Sequence, residues 1–253
     1  MSFHDFWTNE NNPGLPQSEY LYGTRHIIVL VTAILASIIL SLVFYRKSQK
    51  TKNILLVVLV SILLFFEITS RVVNLIIETE YTWQNVFKII MPLHVCSVMV
   101  WVFIVAVFTK KQVLYNFAVI GGLLSTAGFL LYPSVGLNRT YMSFTCLYST
   151  ISHSVGFVCA ILLMSLGFAK FEWKKIWQPL LCFGIMFGWG ALVDFVILPG
   201  ENYMYLRTDP LELDLDFPFH FMYIGILLGY ILLFYIGYWI IQKIKMQKNK
   251  NAV

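Results

Sequence analysis

The sequence predicts an all-α fold: a polytopic membrane bundle of seven transmembrane helices, N-terminus outside and C-terminus cytoplasmic. Three observations predict it. Apolar residues make up 58% of the 253-residue chain and charged residues only 12%, whereas a soluble domain runs nearer half and a quarter. The apolar residues fall into seven runs of roughly the 20 residues a helix needs to cross a bilayer. Basic residues gather in alternate connections between those runs.

The runs span 27–45, 54–77, 87–108, 113–132, 146–168, 177–198 and 219–241. Each reads as helix, because lipid offers backbone polar groups no water and only helices or closed barrels cross it. Barrel strands would be shorter and alternate in character. The start of the chain is polar, with Asp5, Glu10 and Glu19. A signal peptide has a basic start followed directly by an apolar core, so the first helix is expected to be retained. The expected organisation is an extracytoplasmic segment 1–26, a seven-helix membrane domain 27–241 and a basic cytoplasmic tail 242–253.

Arg46, Lys47, Lys50 and Lys52 follow the first run; Lys110 and Lys111 the third; Lys170, Lys174 and Lys175 the fifth; Lys243, Lys245, Lys248 and Lys250 the last. Those thirteen of the eighteen basic residues mark the cytoplasmic side by the positive-inside rule. The net charge of +5 then reflects orientation and calls for no nucleic-acid partner. Tyr45, Trp173, Trp177 and Trp239 fall near predicted inner helix ends and Tyr132 near an outer one, as interfacial belts do. Small residues four apart, Gly184/Gly188, Gly225/Gly229, Ser152/Gly156 and Gly121/Ser125, offer places for helices to approach closely. No internal repeat is visible, and seven helices do not divide into the halves of an inverted-repeat transporter.

Ionisable residues inside a bilayer are costly and point to function by default. The second run carries Glu67 and Arg71, one turn apart, with Asn74 beyond. The third holds Pro92, His94 and Cys96, the fifth His153, the sixth Asp194, and His220 opens the seventh. At about 1.5 Å per residue, Glu67, Arg71, Cys96, His153 and Asp194 all fall in the outer half of the membrane or at its middle. Such a set describes a site open outward and closed from the cytoplasm. Plainer readings stay open: Glu67 and Arg71 neutralise one another along the helix, Asp194 caps or snorkels, and the membrane cysteines are small hydrophobes. On a regular helix His94 and Cys96 lie about 200° apart, and face one point only if Pro92 distorts the turn.

Nucleophilic acyl transfer is a chemistry that can use this set. A thiol attacks as the thiolate and needs a base to take its proton; histidine is the usual base. Cys96 and His153 stand at similar depths on different helices. Four cysteines on different helices show neither metal spacing nor a disulfide framework, and no metal or cofactor is expected.

MPLHVCSV, GGLLSTAGFLLYP, YSTISHSVG and GENYMYLRTDP follow one another along the chain. The set resembles the YwaF-like bacterial integral membrane family, which carries a proline-leucine-histidine-x-cysteine motif, a later membrane histidine and an asparagine-tyrosine motif before the last helix. That family in turn resembles the transmembrane-protein-164 acyltransferases of eukaryotes, which remodel ether phospholipids with a cysteine and a histidine. The resemblance implies Cys96 as the reactive thiol and His153 as its histidine, with Asn202 and Tyr203 in the loop motif. Glu201 stands where the family has a small or hydroxyl residue.

The expected function is therefore lipid acyl transfer in the cell membrane, with membrane lipids as partners. Cys96 would be the nucleophile, His153 the base and Arg71 a ligand for a phosphate head group. A rival reading is a transporter or ligand-binding protein using Glu67, Arg71, His94 and Asp194; a third is an assembly protein with no chemistry. The connection 199–218 is long enough to be a lid. Its Glu212, Asp214 and Asp216 share one face if extended, which admits a cation beside the plain solvated reading.

Overall fold

The computed structural model describes residues 3–8, 12–132, 137–140, 142–207 and 219–250. Among them every regular element is helical, and the one extended pairing is an isolated bridge between Gly14 and Arg139. The acidic stretch with Glu212, Asp214 and Asp216 lies outside the described residues. Two compact units divide the chain, Met1–Lys170 and Phe171–Val253.

The first unit holds α1 (Phe3–Thr8), α2 (Gln17–Tyr20), α3 (Thr24–Tyr45), α4 (Gln49–Ile77), α5 (Trp83–Ile90), α6 (Val95–Thr109), α7 (Gln112–Leu131) and α8 (Phe144–Ser165). Packing centres on α7 and α8, of whose apolar windows 61% and 56% are buried, against 11% for α3 and 22% for α4. Around α8 lie α3, α4, α6 and α7. The outer helices turn Ile28, Leu35, Ile39 and Leu42, and Val58, Phe65, Val72 and Ile76, outward. Apolar surface of that extent belongs in lipid, because soluble chains do not expose it.

Close approach occurs at only some of the predicted small residues. A side chain at Gly121 would meet Met99, and one at Gly156 would meet Thr126. Tighter still is the neighbouring Gly122, where a Cβ would come 2.3 Å from the Phe103 ring. Gly184, Gly188, Gly225 and Gly229 have nothing within 4 Å. Their spacing is that of a packing motif, but no neighbour among the described residues fills it.

The third expected helix is two helices. α5 and α6 meet at a 54° bend across residues 91–94. Proline disfavours helical geometry in the residue before it, and Met91 is extended at φ −83° and ψ 145°. His94 is extended as well and is the N-cap of α6, its side chain making no capping bond to the helix. His94 is thus not on the helix that carries Cys96, and the 200° separation drawn from a regular helix does not apply. Among the described residues six helices are long and apolar enough to span a membrane, or seven when the bent pair counts as one.

Outside the spans, the N-terminal segment is stitched to the connection between α7 and α8. Leu15 donates its N–H to Asn138, Thr140 to Pro13, and Arg139 Nη1 donates to the carbonyl of Asn12. Arg25, in the first turn of α3, donates to the carbonyls of Arg139 and Thr140. Trp7 of α1 packs on Phe144, the first residue of α8, with ring centroids 4.9 Å apart.

The second unit contains a 3-10 turn (Trp173–Lys175), α9 (Trp177–Leu192), a π turn (Val193–Ile197) and α10 (Phe219–Lys250). α10 continues well past the expected end at Ile241. Phe171 meets the rings of Phe234, Tyr235 and Tyr238, and Trp173 meets Tyr235. Lys243 stands 3.9 Å over the Trp239 ring, the cation–aromatic pairing of an interfacial helix end.

Candidate functional site

A buried carboxylate organises the first unit. Glu67 is 1% exposed in the middle of α4. Its Oε1 accepts from Arg71 Nη2 and, at 2.9 Å, from Ser97 Oγ; its Oε2 accepts from the Tyr148 hydroxyl. The sequence supplied only Arg71 as its partner. A membrane-buried carboxylate has about four lone-pair sites to satisfy, and that demand is what could have pointed to Ser97 beside Cys96 and to Tyr148 in the histidine motif.

Arg71 does more than balance Glu67. A helix leaves its last carbonyls without intrahelical donors, and inside a bilayer no water replaces them. Arg71 Nη1 donates to the carbonyls of Ile89, at 2.7 Å, and Ile90, the last two residues of α5. Nη2 donates to Glu67 and, at 3.1 Å, to Ser97 Oγ. All four terminal N–H groups of the expected phosphate ligand are therefore engaged within the protein.

Cys96 follows the bend directly, in the first turn of α6. The first backbone N–H of this helix to find a carbonyl is that of Val98, on His94. Cys96 and Ser97 are in that first turn, where N–H groups have no intrahelical carbonyl, and Ser97 ties the turn to Glu67, which also holds Tyr148. The thiol is half-buried and free. His94 is exposed at the bend.

His153 occupies the middle of α8. Its Nδ1 is 2.7 Å from the carbonyl of Ser149. A carbonyl only accepts, so Nδ1 carries the proton and Nε2 the lone pair. The ring stacks on Phe129 of α7, with centroids 4.0 Å apart. Ser97 and Tyr148 both reach Glu67, and Phe103 lies beside Gly156. These two levels show that α6 and α8 run in the same direction. By that register His153 stands roughly 6–9 Å further along the helix axes than Cys96. No hydrogen bond joins the two side chains.

One turn beyond Ser97 and Tyr148, on the same helix faces, are Trp101 and Ser152. Trp101 Nε1 and Ser152 Oγ are buried and have no hydrogen-bond partner among the described residues. Another histidine, unremarked in the sequence, is fully committed. His26 Nε2 is 2.7 Å from the Leu130 carbonyl and Nδ1 accepts from the N–H of Tyr22. It joins α3 to the end of α7.

Asp194, Asn202 and Tyr203 form a cluster in the second unit. Asp194 is fully buried in the π turn; its Oδ1 accepts the N–H of Tyr203 at 3.1 Å, and Oδ2 has no partner among the described residues. Asn202 Oδ1 accepts the N–H of Arg207, whose Nη1 donates to the carbonyl of Asp194. His220 Nε2 is 2.6 Å from the Leu206 carbonyl and ties the start of α10 to the same loop. Burial first, then the charge of Glu201 and a hydrogen bond to it, push the Tyr203 phenol up to about 12, so it stays a proton donor at neutral pH. Within this loop Asp194 and Asn202 act as turn-formers. Asp194→Ala should destabilise the loop by about 1 kcal/mol by removing the acceptor of a half-buried N–H. Faster proteolysis between Pro199 and Arg207, with Asp194→Asn close to wild type, is the expected reading; equal proteolysis of both variants and wild type would contradict it.

Fold and site together define a multi-pass integral membrane protein with a polar cluster buried among its helices. The model of the TMEM164 family matches residues 21–240, and the chain belongs to that family. Of the two resemblances carried by the motifs, this match supports the TMEM164 one. No curated protein and no solved structure matches the chain.

Proposed function

We propose that the protein is a lipid acyltransferase of the cell membrane, with Cys96 as nucleophile and His153 as base. The observation that carries this reading is the start of α6 at the bend, which sets a free, half-buried thiol in a first helical turn, where backbone N–H groups lack intrahelical acceptors. Negative charge developing at that point in a transition state meets preorganised donors. Sγ attacks the ester carbonyl of a donor lipid; the S–C bond forms and the ester C–O bond breaks. The thiol proton passes to Nε2 of His153 and on to the departing lipid alkoxide. A hydroxyl of a second lipid then attacks the thioester, giving its proton to His153 as the thiolate leaves and recovers one. The offset between Cys96 and His153 makes the proton path run through a lipid hydroxyl or a water rather than a direct Sγ–Nε2 contact. The unpartnered donors Trp101 Nε1 and Ser152 Oγ supply hydrogen bonds that an ester carbonyl accepts.

Incubating the purified protein in vesicles with a phospholipid carrying a labelled acyl chain tests the reading. Mass spectrometry should find the label on Cys96, removable by neutral hydroxylamine. Acyl transfer that proceeds without acylating Cys96 would refute the mechanism, and absence of any transfer would refute the function.

In this reading the N-terminus and the 199–218 loop face outside. With the native cysteines replaced, a cysteine at Lys47 should resist an impermeant thiol reagent in intact cells and one at Glu201 should react. The reverse pattern would invert the orientation.

A further inference from the structure

We infer that Arg71 is a positioning residue for Cys96, acting through a clamp across the bend between α5 and α6; this rests on the reading of Cys96 as the reactive thiol. One guanidinium touches both sides of the bend. Before it, Nη1 holds the carbonyls of Ile89 and Ile90; after it, Nη2 holds the hydroxyl of Ser97, the neighbour of Cys96. Glu67 fixes the guanidinium from its own helix and receives Ser97 as well, which closes a triangle of Arg71, Glu67 and Ser97. Tyr148 ties the same carboxylate to α8, the helix of His153. The network therefore joins α4, α5, α6 and α8. A pair that merely neutralised its charges would need neither the two carbonyls nor the serine. Only six residues, 91–96, separate the clamped points Ile90 and Ser97. The orientation of the first turn of α6 follows from where Arg71 sits.

The test uses the full-length protein in lipid vesicles and the variants Arg71→Lys and Ser97→Ala. Lysine keeps the charge beside Glu67 but has three donors on one nitrogen, and it cannot span two carbonyls, a carboxylate and a hydroxyl. Two quantities are read: the rate of alkylation of Cys96 by a lipophilic maleimide across pH, and its acylation by labelled phospholipid. Cys182, in the other unit, is the internal reference. The expected result in Arg71→Lys is a displaced pH profile at Cys96, an unchanged one at Cys182, and acylation slowed roughly tenfold or more, as for a displaced reactive group. An unchanged Cys96 profile in folded Arg71→Lys overturns the clamp. Where that variant does not fold, Ser97→Ala decides, because it leaves the ion pair intact: a displaced Cys96 profile supports the clamp and an unmoved one overturns it. A wild-type protein that never acylates Cys96 sinks the acyltransferase reading, while the alkylation profiles still decide the positioning role.

Discussion

Replacing Cys96 with serine is expected to abolish acyl transfer and leave the helices in place. The substitution changes one atom in the first turn of α6, and among the described residues the thiol makes no hydrogen bond to another side chain that serine would break. An alcohol is far harder to deprotonate than a thiol. Loss of a nucleophile costs enzymes many orders of magnitude, and a fall of at least about a thousandfold is expected here. His153→Ala should lower the rate less, because the N–H groups at Cys96 remain. Cys159→Ala should leave transfer near wild type, since that thiol is packed inside α8. Transfer of labelled acyl chains between lipids in reconstituted vesicles measures all three. A serine variant that transfers at the wild-type rate would show that Cys96 is not the nucleophile.

The largest effect on folding is expected at Glu67. Its removal leaves a guanidinium buried among helices without a counter-charge, which costs on the order of 3–5 kcal/mol. Domains are stable by only about 5–15 kcal/mol, so Glu67→Ala should lose most of its folded yield. Arg71→Ala should lose a similar amount, stranding the carboxylate and two helix-end carbonyls together. Removing both charges should recover part of the loss. Full recovery is not expected, because the carbonyls of Ile89 and Ile90 stay without donors in the double variant. Thermal unfolding of the four proteins in detergent gives the coupling; strictly additive losses would show that the two residues act independently.

The sequence foretold most of the spans well because their signal is bulk apolarity over some twenty residues; apart from the broken third span and the longer α10, helix ends shift by only a few positions. Run 27–45 is helix from Thr24 to Tyr45, and run 113–132 from Gln112 to Leu131. Pro92 marked the bend, but its form depends on Met91 and His94 both being extended, which their side chains do not announce. For the same reason His94 could not be placed relative to Cys96. The pairing of Glu67 with Arg71 was legible from their spacing. The second duty of Arg71 was not, because the carbonyls of Ile89 and Ile90 carry no letter of their own. Asp194 read as a membrane carboxylate, yet its partner is the backbone N–H of Tyr203, equally silent in a sequence. Hydrogen bonds to backbone are the part of a polar site that composition and spacing leave out.

The N-terminal stitching bears on how the chain is made. Residues 12–25 hold their partners at 139 and 140 across 114 to 127 positions of sequence. Those partners do not exist while α3 to α6 are being inserted. During synthesis the leading segment therefore waits, unpaired, until the connection after α7 arrives on its side of the bilayer. Long-range pairing of this kind carries a loop-closure cost, so it forms late. Closure of the strap thus reports that α3 through α7 have been threaded in the correct order. A helix inserted backwards would put residues 137–140 on the wrong face and leave Arg25 with nothing to hold. The strap makes the start of the chain a checkpoint on the insertion of its middle.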